Sequence, residues 1–376
     1  MKRYSAERGM PGQLVAANSS VSTEPTAQDT DSTAAGRGTP PVRPATFIIE
    51  PATDLVYLRC VPFDREQLAA KLRRLAAQGV FLGTSSWKYP GWFGKIYEQD
   101  RYVWRGRFSK TRFEQNCLTE FAQTFPAVSV DATYYKFYDR ATLTELSAQV
   151  PDGFQFAPKV CGDVTLKQFP QLPRFGARAG RTNPHFLDAA LFSDSFLSPW
   201  EPFRDKVGLI TFEFSRFGQG DFARGAAFVE ALDSFLEKLP RGWPYGVELR
   251  NRQWLRSEYF AMLARHGVTH IFNAWSDMPP VVEQMALPGS ITNPALLAAR
   301  FLVREGRTFE QAVKKFMPYS EIKDPNPEGR AAAVELARRG LKSKGETKVM
   351  VLVGNRYEGH SPGTVNAIVE VIGGEE

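Results

Sequence analysis

Short apolar runs alternate with longer stretches of helical periodicity along most of this chain. The apolar runs cover residues 80–85, 128–131, 154–159, 207–213, 245–250, 268–273, 299–304 and 348–353, and the helical stretches between them include residues 113–125, 141–149, 222–239, 258–265 and 328–341. Strands that alternate with helices are typical of parallel sheets whose strands are joined by crossover helices. Eight such units predict an α/β fold, a (β/α)8 TIM-like barrel, with a doubly wound open sheet as the main alternative.

The first part of the chain has a different pattern. Residues 1–46 are rich in Ser, Thr, Ala, Gly and Pro and contain few large apolar residues. Such a segment buries too little apolar surface to offset the entropy of ordering, so it is predicted to be a disordered N-terminal tail. The barrel domain then covers residues 47–376, with its first strand from about residue 80. An amphipathic helix is predicted over residues 64–77, because Leu68, Leu72 and Leu75 recur at helical spacing and Gly79 follows them.

The predicted strands end in charged residues that share one parity. Side chains alternate between the two faces of a strand, so apolar Val247 and Leu249 share one face of the fifth strand while Glu248 and Arg250 share the other. If the apolar pair meets the helices, the charged pair points into the barrel. The same reasoning predicts a converging ring that consists of Asp131, Lys159, Glu213, Glu248, Arg250 and Arg304. The alternative is a set of ion pairs that only closes the end of the barrel.

The environment of Arg250 distinguishes a ligand site from a set of structural ion pairs. Because Lys159 and Arg304 add positive charge near the same mouth, we expect Arg250 to face water and to wait for a ligand anion. Replacing Arg250 with Met is then expected to cost little stability, since exposed ion pairs contribute about 0–1 kcal/mol.

The loops after the strands add aromatic and basic residues. Rings in the loops after the first, second and fifth strands could stack against a flat ligand or could cap the barrel. The loops after the seventh and eighth strands of barrel enzymes often bind phosphate, and Arg binds phosphate or carboxylate bidentately. We therefore expect a substrate-binding set that consists of Trp87, Tyr134, Arg250, Trp254, Arg304, Asn355 and Arg356.

Five segments of the chain together resemble one known family. They are residues 83–92 (Gly-Thr-Ser-Ser-Trp-Lys-Tyr-Pro-Gly-Trp), 130–135 (Val-Asp-Ala-Thr-Tyr-Tyr), 154–159 (Phe-Gln-Phe-Ala-Pro-Lys), 247–251 (Val-Glu-Leu-Arg-Asn) and 355–359 (Asn-Arg-Tyr-Glu-Gly). In this order they resemble the domain of unknown function 72 family, also called YecE-like, from about residue 80 to residue 372. The resemblance implies a TIM-like barrel and brings no established reaction.

The chain departs from the family pattern in two places. Gly354 stands where the family usually has the first residue of an Asn pair, and His360, Ser361 and Pro362 stand where it usually reads Asn-Ala-Pro. The role of the first Asn of the family pair is therefore not assigned to any residue of this chain. Whether His360 belongs to the site stays open.

The leading functional hypothesis is an enzyme that acts on a small anionic or sugar-like substrate. Glu248 or Glu213 would be the general acid or base, Asp131 its partner, and Lys159 an electrophile or a base. Arg250, together with Arg304 and Asn355, would hold the anion. This assigns the catalytic roles to four residues, Asp131, Lys159, Glu213 and Glu248.

Three other functions stay open at this point. Glycoside hydrolysis needs only two barrel carboxylates at a suitable separation. A metal-dependent isomerase or endonuclease would need converging ligands, but of the four histidines, His185, His266, His270 and His360, only His360 lies in a loop at this end. No cofactor is predicted, although a divalent metal bound by carboxylates is left open. A ligand-binding protein without turnover would keep the same pocket.

Charge and cysteine content bear on partners and location. The net charge of the 376-residue chain is +6, and it has no Lys/Arg run of five or more, which permits an anionic ligand and disfavours nucleic acid as a partner. Cys60, Cys117 and Cys161 lack metal-ligand spacing, and no apolar run is long enough to span a bilayer. We expect a cytoplasmic protein without a membrane partner, and its oligomeric state is left open.

Overall fold

The computed structural model describes residues 63–373. The predicted tail over residues 1–46 and the predicted start of the barrel domain at residue 47 lie outside the described residues. Within residues 63–373, no helix combines the length and apolar character that crossing a membrane requires.

Eight parallel strands form the central sheet. In chain order they are β1 (Val80–Thr84), β2 (Ala127–Val130), β3 (Gln155–Pro158), β4 (Ile210–Phe214), β5 (Tyr245–Leu249), β6 (Thr269–Ala274), β7 (Leu296–Phe301) and β8 (Lys348–Val353). Their order in the sheet is β3-β2-β1-β8-β7-β6-β5-β4. The two outer strands, β3 and β4, are connected by parallel bridges from Phe156 to Val207 and from Lys159 to Thr211. This arrangement confirms the (β/α)8 TIM-like barrel and argues against the open sheet.

Helices follow the strands as the alternating pattern predicts. The longer ones are α1 (Arg65–Ala77), α2 (Lys110–Phe121), α3 (Arg140–Ser147), α4 (Gly225–Leu236), α5 (Ser257–Arg265), α6 (Val281–Ala286), α7 (Phe309–Phe316), α8 (Pro327–Lys342) and α9 (Ser361–Gly373). Short helical turns cover Gly162–Thr165, Ala189–Leu191 and Asn355–Glu358. The start of α1 is fixed by Asp64, whose side chain accepts hydrogen bonds from the backbone N–H groups of Glu66 and Gln67.

Alternating side chains separate the barrel interior from the helix layer. Outward residues such as Val128, Phe212 and Val247 join the main hydrophobic core between the strands and the helices. The interior is packed by Phe81, Ala127, Ala157, Leu209, Ile271, Leu296, Ala298, Met350 and Leu352. Gly83 of β1 is needed for this packing, since a Cβ atom there would lie 2.1 Å from the carbonyl oxygen of Ala127. The predicted parity is therefore correct, and it leaves the charged residues at the carboxyl ends of the strands.

The seventh strand differs from the sequence prediction. It covers Leu296–Phe301 and not residues 299–304, so Arg300 and not Arg304 is its last inward residue. The apolar run continues past the strand, but the N–H groups of Leu302 and Val303 both donate to the carbonyl of Ala274 at 3.2 and 3.1 Å. The chain therefore leaves the barrel here, and Arg304 lies in the following loop.

Candidate active site

Six charged side chains meet at the carboxyl ends of the strands, and we call them the charged cluster. They are Asp131, Lys159, Glu213, Glu248, Arg250 and Arg300. Glu248 is fully buried. Its Oε1 accepts a hydrogen bond from Arg250 Nε at 2.8 Å, and its Oε2 accepts one from Arg300 Nη1 at 2.5 Å. Both oxygens of this carboxylate are therefore held by arginines.

Glu213 is the most crowded carboxylate of the charged cluster. Its Oε2 lies 2.5 Å from Lys159 Nζ, 2.8 Å from Arg250 Nη2 and 3.3 Å from Arg300 Nη1. Burial alone would raise the pKa of Glu213, but the positive charges of Arg250, Lys159 and Arg300 outweigh it and lower the pKa to about 2. Glu213 thus stays ionised at neutral pH. The contacts of Glu213 and Glu248 favour a positioning role for both over the general acid or base role expected from the sequence.

Asp131 is the open end of the charged cluster. Its side chain is 37% exposed, although its Oδ1 accepts hydrogen bonds from Arg300 Nη2 at 2.9 Å and from Ser129 Oγ at 2.8 Å. Burial lowers the pKa of Lys159, while Glu213 and Asp131 partly offset this effect. The Lys159 ammonium group lies 3.9 Å from the ring centroid of Tyr134. An exposed carboxylate and a lysine with a lowered pKa therefore lie close to each other at the mouth.

Arg250 does not face open water. It is only 7% exposed, and its Nη2 lies 2.8 Å from Glu213 Oε2 and 2.7 Å from Glu248 Oε1. Its guanidinium group also stacks on Trp275, with Cζ 3.6 Å from the ring centroid. The expectation that Arg250 waits for a ligand anion is therefore contradicted by its contacts, because its charge is already neutralised by two buried carboxylates.

The loop after β8 supplies buried hydrogen-bond donors that have no well-placed acceptor among the described residues. Asn355 is buried, and its Oδ1 accepts hydrogen bonds from Ser361 N at 2.8 Å and Ser361 Oγ at 2.9 Å. Within residues 63–373 its Nδ2 meets no acceptor at full hydrogen-bond geometry, although the Asn355 side chain lies close enough to the Tyr89 hydroxyl to oppose the rise in the pKa of Tyr89. Arg356 packs on Phe309 with Cζ 4.2 Å from the ring centroid. In the same part of the chain its buried Nε has no acceptor, while its guanidinium group opposes the rise that burial causes in the pKa of Tyr319. Throughout residues 63–373, no carboxylate lies within salt-bridge distance of Arg356. A bound anion is the kind of group that satisfies such donors.

Tyr89 connects this loop to the charged cluster. Burial raises the pKa of Tyr89, the positive charge of Arg356 opposes that rise, and the negative charge of Asp131 adds to it. The ring of Tyr89 also packs edge-on against Tyr319, with centroids 5.6 Å apart. The Tyr89 hydroxyl therefore lies within electrostatic range of both the unpaired donors of the β8 loop and the exposed carboxylate.

Comparison with known proteins places this barrel in a family. The family model described as protein of unknown function DUF72 matches residues 81–376. The chain belongs to the DUF72 family. A comparison with curated proteins finds no match.

Solved structures of other DUF72 proteins have a similar fold. Two crystal structures of a DUF72 family protein from Enterococcus faecalis V583 have TM-scores of 0.51 and 0.50 at 17% and 18% identity; the alignments cover 78% of this chain and 95% and 97% of the other chains. A DUF72 family protein from Thermotoga maritima MSB8 has 19% identity and a TM-score of 0.49, over 79% of this chain and 99% of that chain. At these identities, the likeness to the Enterococcus structures shows the fold alone.

Three residues that the sequence assigned to substrate binding lie outside the charged cluster of this DUF72 protein. Trp87 is buried in the main hydrophobic core. Trp254 stacks against Phe217 and Phe228, with ring centroids 5.7 and 5.5 Å apart. Arg304 is 42% exposed and pairs with Asp324 at 3.3 Å. The two tryptophans thus pack with hydrophobic residues of the protein and not with a ligand. Their position in loops after strands does not distinguish these two roles.

His360, at which this chain departs from the DUF72 pattern, is not a member of the charged cluster. Its Nδ1 accepts a hydrogen bond from Gly363 N at 3.0 Å, and its ring packs edge-on against Trp92. Burial and the nearby Lys95 lower the pKa of His360 to about 3. His360 is therefore uncharged at neutral pH, and its contacts stabilise the segment after β8.

Sequence reasoning missed Arg300, which makes contacts with three carboxylates. Its position on the strand has the same parity as those of the other members. A sequence prediction that ended the seventh strand at Phe301 would therefore have placed Arg300 in the charged cluster. The sequence places Trp275 and Tyr89 in loops after strands. It contains no signal that Trp275 stacks on Arg250 or that Tyr89 lies near Arg356.

The charged cluster has three acidic and three basic members, so its formal charge is balanced. Among residues 63–373, no group of three or more His, Cys, Asp or Glu side chains is arranged to hold a metal ion. The oxygens of the clustered carboxylates are directed instead to the guanidinium and ammonium groups described above.

Proposed function

We propose that this barrel is an enzyme that moves a proton on a small anionic, sugar-like substrate bound at the carboxyl ends of the strands. The observation that carries the proposal is the position of Asp131. It is the accessible member of a network whose other carboxylates are buried and neutralised. A carboxylate that is fixed in orientation and still reachable is suited to accept a proton from a bound substrate.

Lys159 is the second proton-transfer group in this proposal. Burial lowers the pKa of Lys159, so its ammonium group releases a proton more readily than that of an ordinary lysine. Next to Asp131, it can donate this proton or stabilise negative charge as the charge develops on the substrate. Tyr134, whose ring lies under the ammonium group, limits the positions that Lys159 can adopt.

Arg356 and Asn355 would hold the anionic group of the substrate. Both have a buried N–H group without a hydrogen-bond partner, and Arg356 has no carboxylate to neutralise it in the described part of the chain. A ligand anion at this position would satisfy both groups and would lie near the Tyr89 hydroxyl, whose pKa is influenced by both Arg356 and Asp131.

The four remaining members of the charged cluster would act as a rigid support. Glu213, Glu248, Arg250 and Arg300 are each less than a tenth exposed and contact one another at 2.5–3.3 Å. Groups that are held in place before the reaction do not need to reorganise during it, which is how a preorganised site stabilises developing charge. In this proposal they position Asp131 and Lys159 and do not exchange protons.

A metabolite-binding screen tests the proposal. The purified protein is screened by thermal shift against sugar acids, sugar phosphates and other small metabolites, and each hit is then tested for turnover. Arg356→Gln should abolish the shift, whereas Arg73→Gln, which removes an exposed charge from α1, should keep it. A hit that binds to Arg356→Gln as tightly as to the wild type would contradict the anion site, and hits without turnover would indicate a binding protein.

We also expect the enzyme to work in a reducing compartment such as the cytoplasm. Cys117 and Cys161 are buried and form no disulfide within the described residues, as is usual where thiols stay reduced. Cell fractionation of the native protein checks this expectation.

A further inference from the structure

A cavity of about 240 Å³ lies between the segments that follow β3 and β4. Its lining includes Thr165, Gln168 and Gln171 from the segment after β3, and Ser215, which directly follows β4. Both segments leave the carboxyl ends of their strands, so the cavity is at the same end of the barrel as Asp131 and the rest of the charged cluster.

Tyr134 lies between the cavity and the reactive lysine. One side of its ring faces Lys159 Nζ at 3.9 Å. The same side chain packs in a small hydrophobic cluster with Leu166 and Phe169, and both of these residues line the cavity. Tyr134, together with Leu166 and Phe169, therefore lies between the cavity and Lys159.

The neutral groups of the lining match a sugar. Thr165 and Ser215 carry hydroxyls, and Gln168 and Gln171 carry amides, so all four can both donate and accept hydrogen bonds. The hydroxyls of a sugar have the same double capacity. Phe169 and Phe217 add apolar surface, against which the C–H faces of a ring can pack.

The charged groups of the lining do not favour a second anion. Lys167 and Arg216 are positive and Asp221 is negative, and Arg216 is paired with Asp277 at 3.0 Å. The Lys167 ammonium group is held 3.5 Å from the ring centroid of Phe222. Mixed charge with existing partners leaves the neutral groups as the main source of ligand contacts.

The volume of the cavity and the hydroxyl of Thr165 indicate that the cavity binds one part of a larger ligand. Pockets for whole ligands occupy about 300–1,000 Å³, so a cavity of about 240 Å³ suits a single ring. Thr165 is 1% exposed, and its Oγ1 has no hydrogen-bond partner among residues 63–373. Buried polar atoms of this kind are rare in native proteins unless a ligand or water satisfies them.

We propose that this cavity is the distal substrate-binding subsite and receives the sugar ring of an anionic sugar whose charged group contacts Arg356 and Asn355. This inference rests on the proposed function. Around the barrel the strands run β8, β1, β2, β3, β4, so Asp131 after β2 and Lys159 after β3 lie between the anion subsite and the ring subsite. The part of the ligand that joins its ring to its charged group would then pass the side of the mouth that carries both proton-transfer groups.

Titration calorimetry with inorganic phosphate, ribose 5-phosphate and glucose 6-phosphate tests this assignment. At least one sugar phosphate should bind to the wild type about tenfold or more tightly than phosphate. Thr165→Val and Gln171→Met should each lower the affinity for that sugar phosphate about 2- to 10-fold, which is the effect of losing one hydrogen bond. Both variants should leave the affinity for phosphate unchanged. Gln171 is exposed, so its variant is expected to fold. Thr124→Val is the matched control, because Thr124 is also buried with an unpaired hydroxyl but precedes β2, away from the cavity.

Two results would overturn the subsite. One is equal affinity of the wild type for phosphate and for both sugar phosphates; the other is a loss of phosphate binding in the cavity variants that equals the loss of sugar phosphate binding. If phosphate and sugar phosphates all fail to bind, the anion site of the proposed function is wrong. Crystals soaked in glucose then decide the cavity separately: sugar density next to Thr165 supports the ring subsite, and an empty cavity overturns it.

Discussion

One guanidinium group, that of Arg300, connects the buried and the exposed ends of the charged cluster. Its Nη2 lies 2.9 Å from Asp131 Oδ1, and its Nη1 lies 2.5 Å from Glu248 Oε2. Asp131 is 37% exposed and Glu248 is fully buried. The orientation of the accessible carboxylate is therefore set by a network that is almost fully buried.

Arg250→Met should strongly destabilise the protein. The substitution leaves the buried carboxylates of Glu213 and Glu248 with one arginine fewer, and breaking a buried ion pair from one side costs roughly 3–5 kcal/mol. Arg304→Met is the control, because Arg304 is 42% exposed and pairs at the surface, where about 0–1 kcal/mol is expected. Urea unfolding measures both variants. Similar small losses for the two would show that the charged cluster is not a structural network.

Glu213 should make the protein sensitive to acid. Its pKa is lowered to about 2 in the folded state from an ordinary value of 4.5. A lowered carboxyl pKa stabilises the folded state above pH 4.5, and that stabilisation is lost as the pH falls towards 2. The loss is on the order of 3 kcal/mol. Glu213→Gln should be less stable at pH 7 and should show a flatter decline below pH 4.5, whereas Glu230→Gln, at an exposed position, should follow the wild type. Parallel curves for wild type and Glu213→Gln would refute this.

His270 should add a second loss of stability at milder pH. Burial lowers its pKa to about 3 in the folded state, so the unfolded chain binds the proton more readily below pH 6.5. Stability is therefore highest above pH 6.5 and declines as the pH falls towards 3. Between pH 6.5 and pH 4.5, one such histidine contributes a loss of about 2 kcal/mol.

His270→Phe checks this origin. The ring of His270 packs against Phe260 and Phe272, so a phenylalanine ring fits these apolar neighbours. The substitution also removes the hydrogen-bond partner of the buried Tyr259 hydroxyl, which should lower stability at every pH, but the decline between pH 6.5 and pH 4.5 should be reduced. An unchanged decline would assign the effect to other groups, among them His360, whose pKa is also lowered to about 3.

The alternation of polar and apolar residues predicts the barrel and most of its charged end. Asp131, Lys159, Glu213, Glu248 and Arg250 meet as their parity requires, because alternation is a local property of a strand. The end of β7 could not be placed this way, since the apolar run continues to Val303 while the hydrogen bonds to Ala274 end the strand earlier.

Contacts across the fold could not be predicted from one sequence. Trp254 was expected at the substrate and packs instead with Phe217 and Phe228, whereas Trp275 lies on Arg250. Both are tryptophans in loops after strands, and only the three-dimensional packing distinguishes them. The neutralisation of Arg250 was missed for the same reason, because it depends on contacts with the buried carboxylates of both Glu213 and Glu248.

The most direct test of the account is turnover by Asp131→Asn compared with Asp233→Asn, on a substrate identified by the metabolite screen. The two aspartates are 37% and 38% exposed and each has an arginine partner, but Asp233 lies on α4, away from the charged cluster. We predict that Asp131→Asn lowers kcat about 10²- to 10⁴-fold, the usual contribution of a general base, with a thermal stability close to that of Asp233→Asn. Turnover by Asp131→Asn that equals turnover by Asp233→Asn would contradict the proposal that Asp131 transfers the proton.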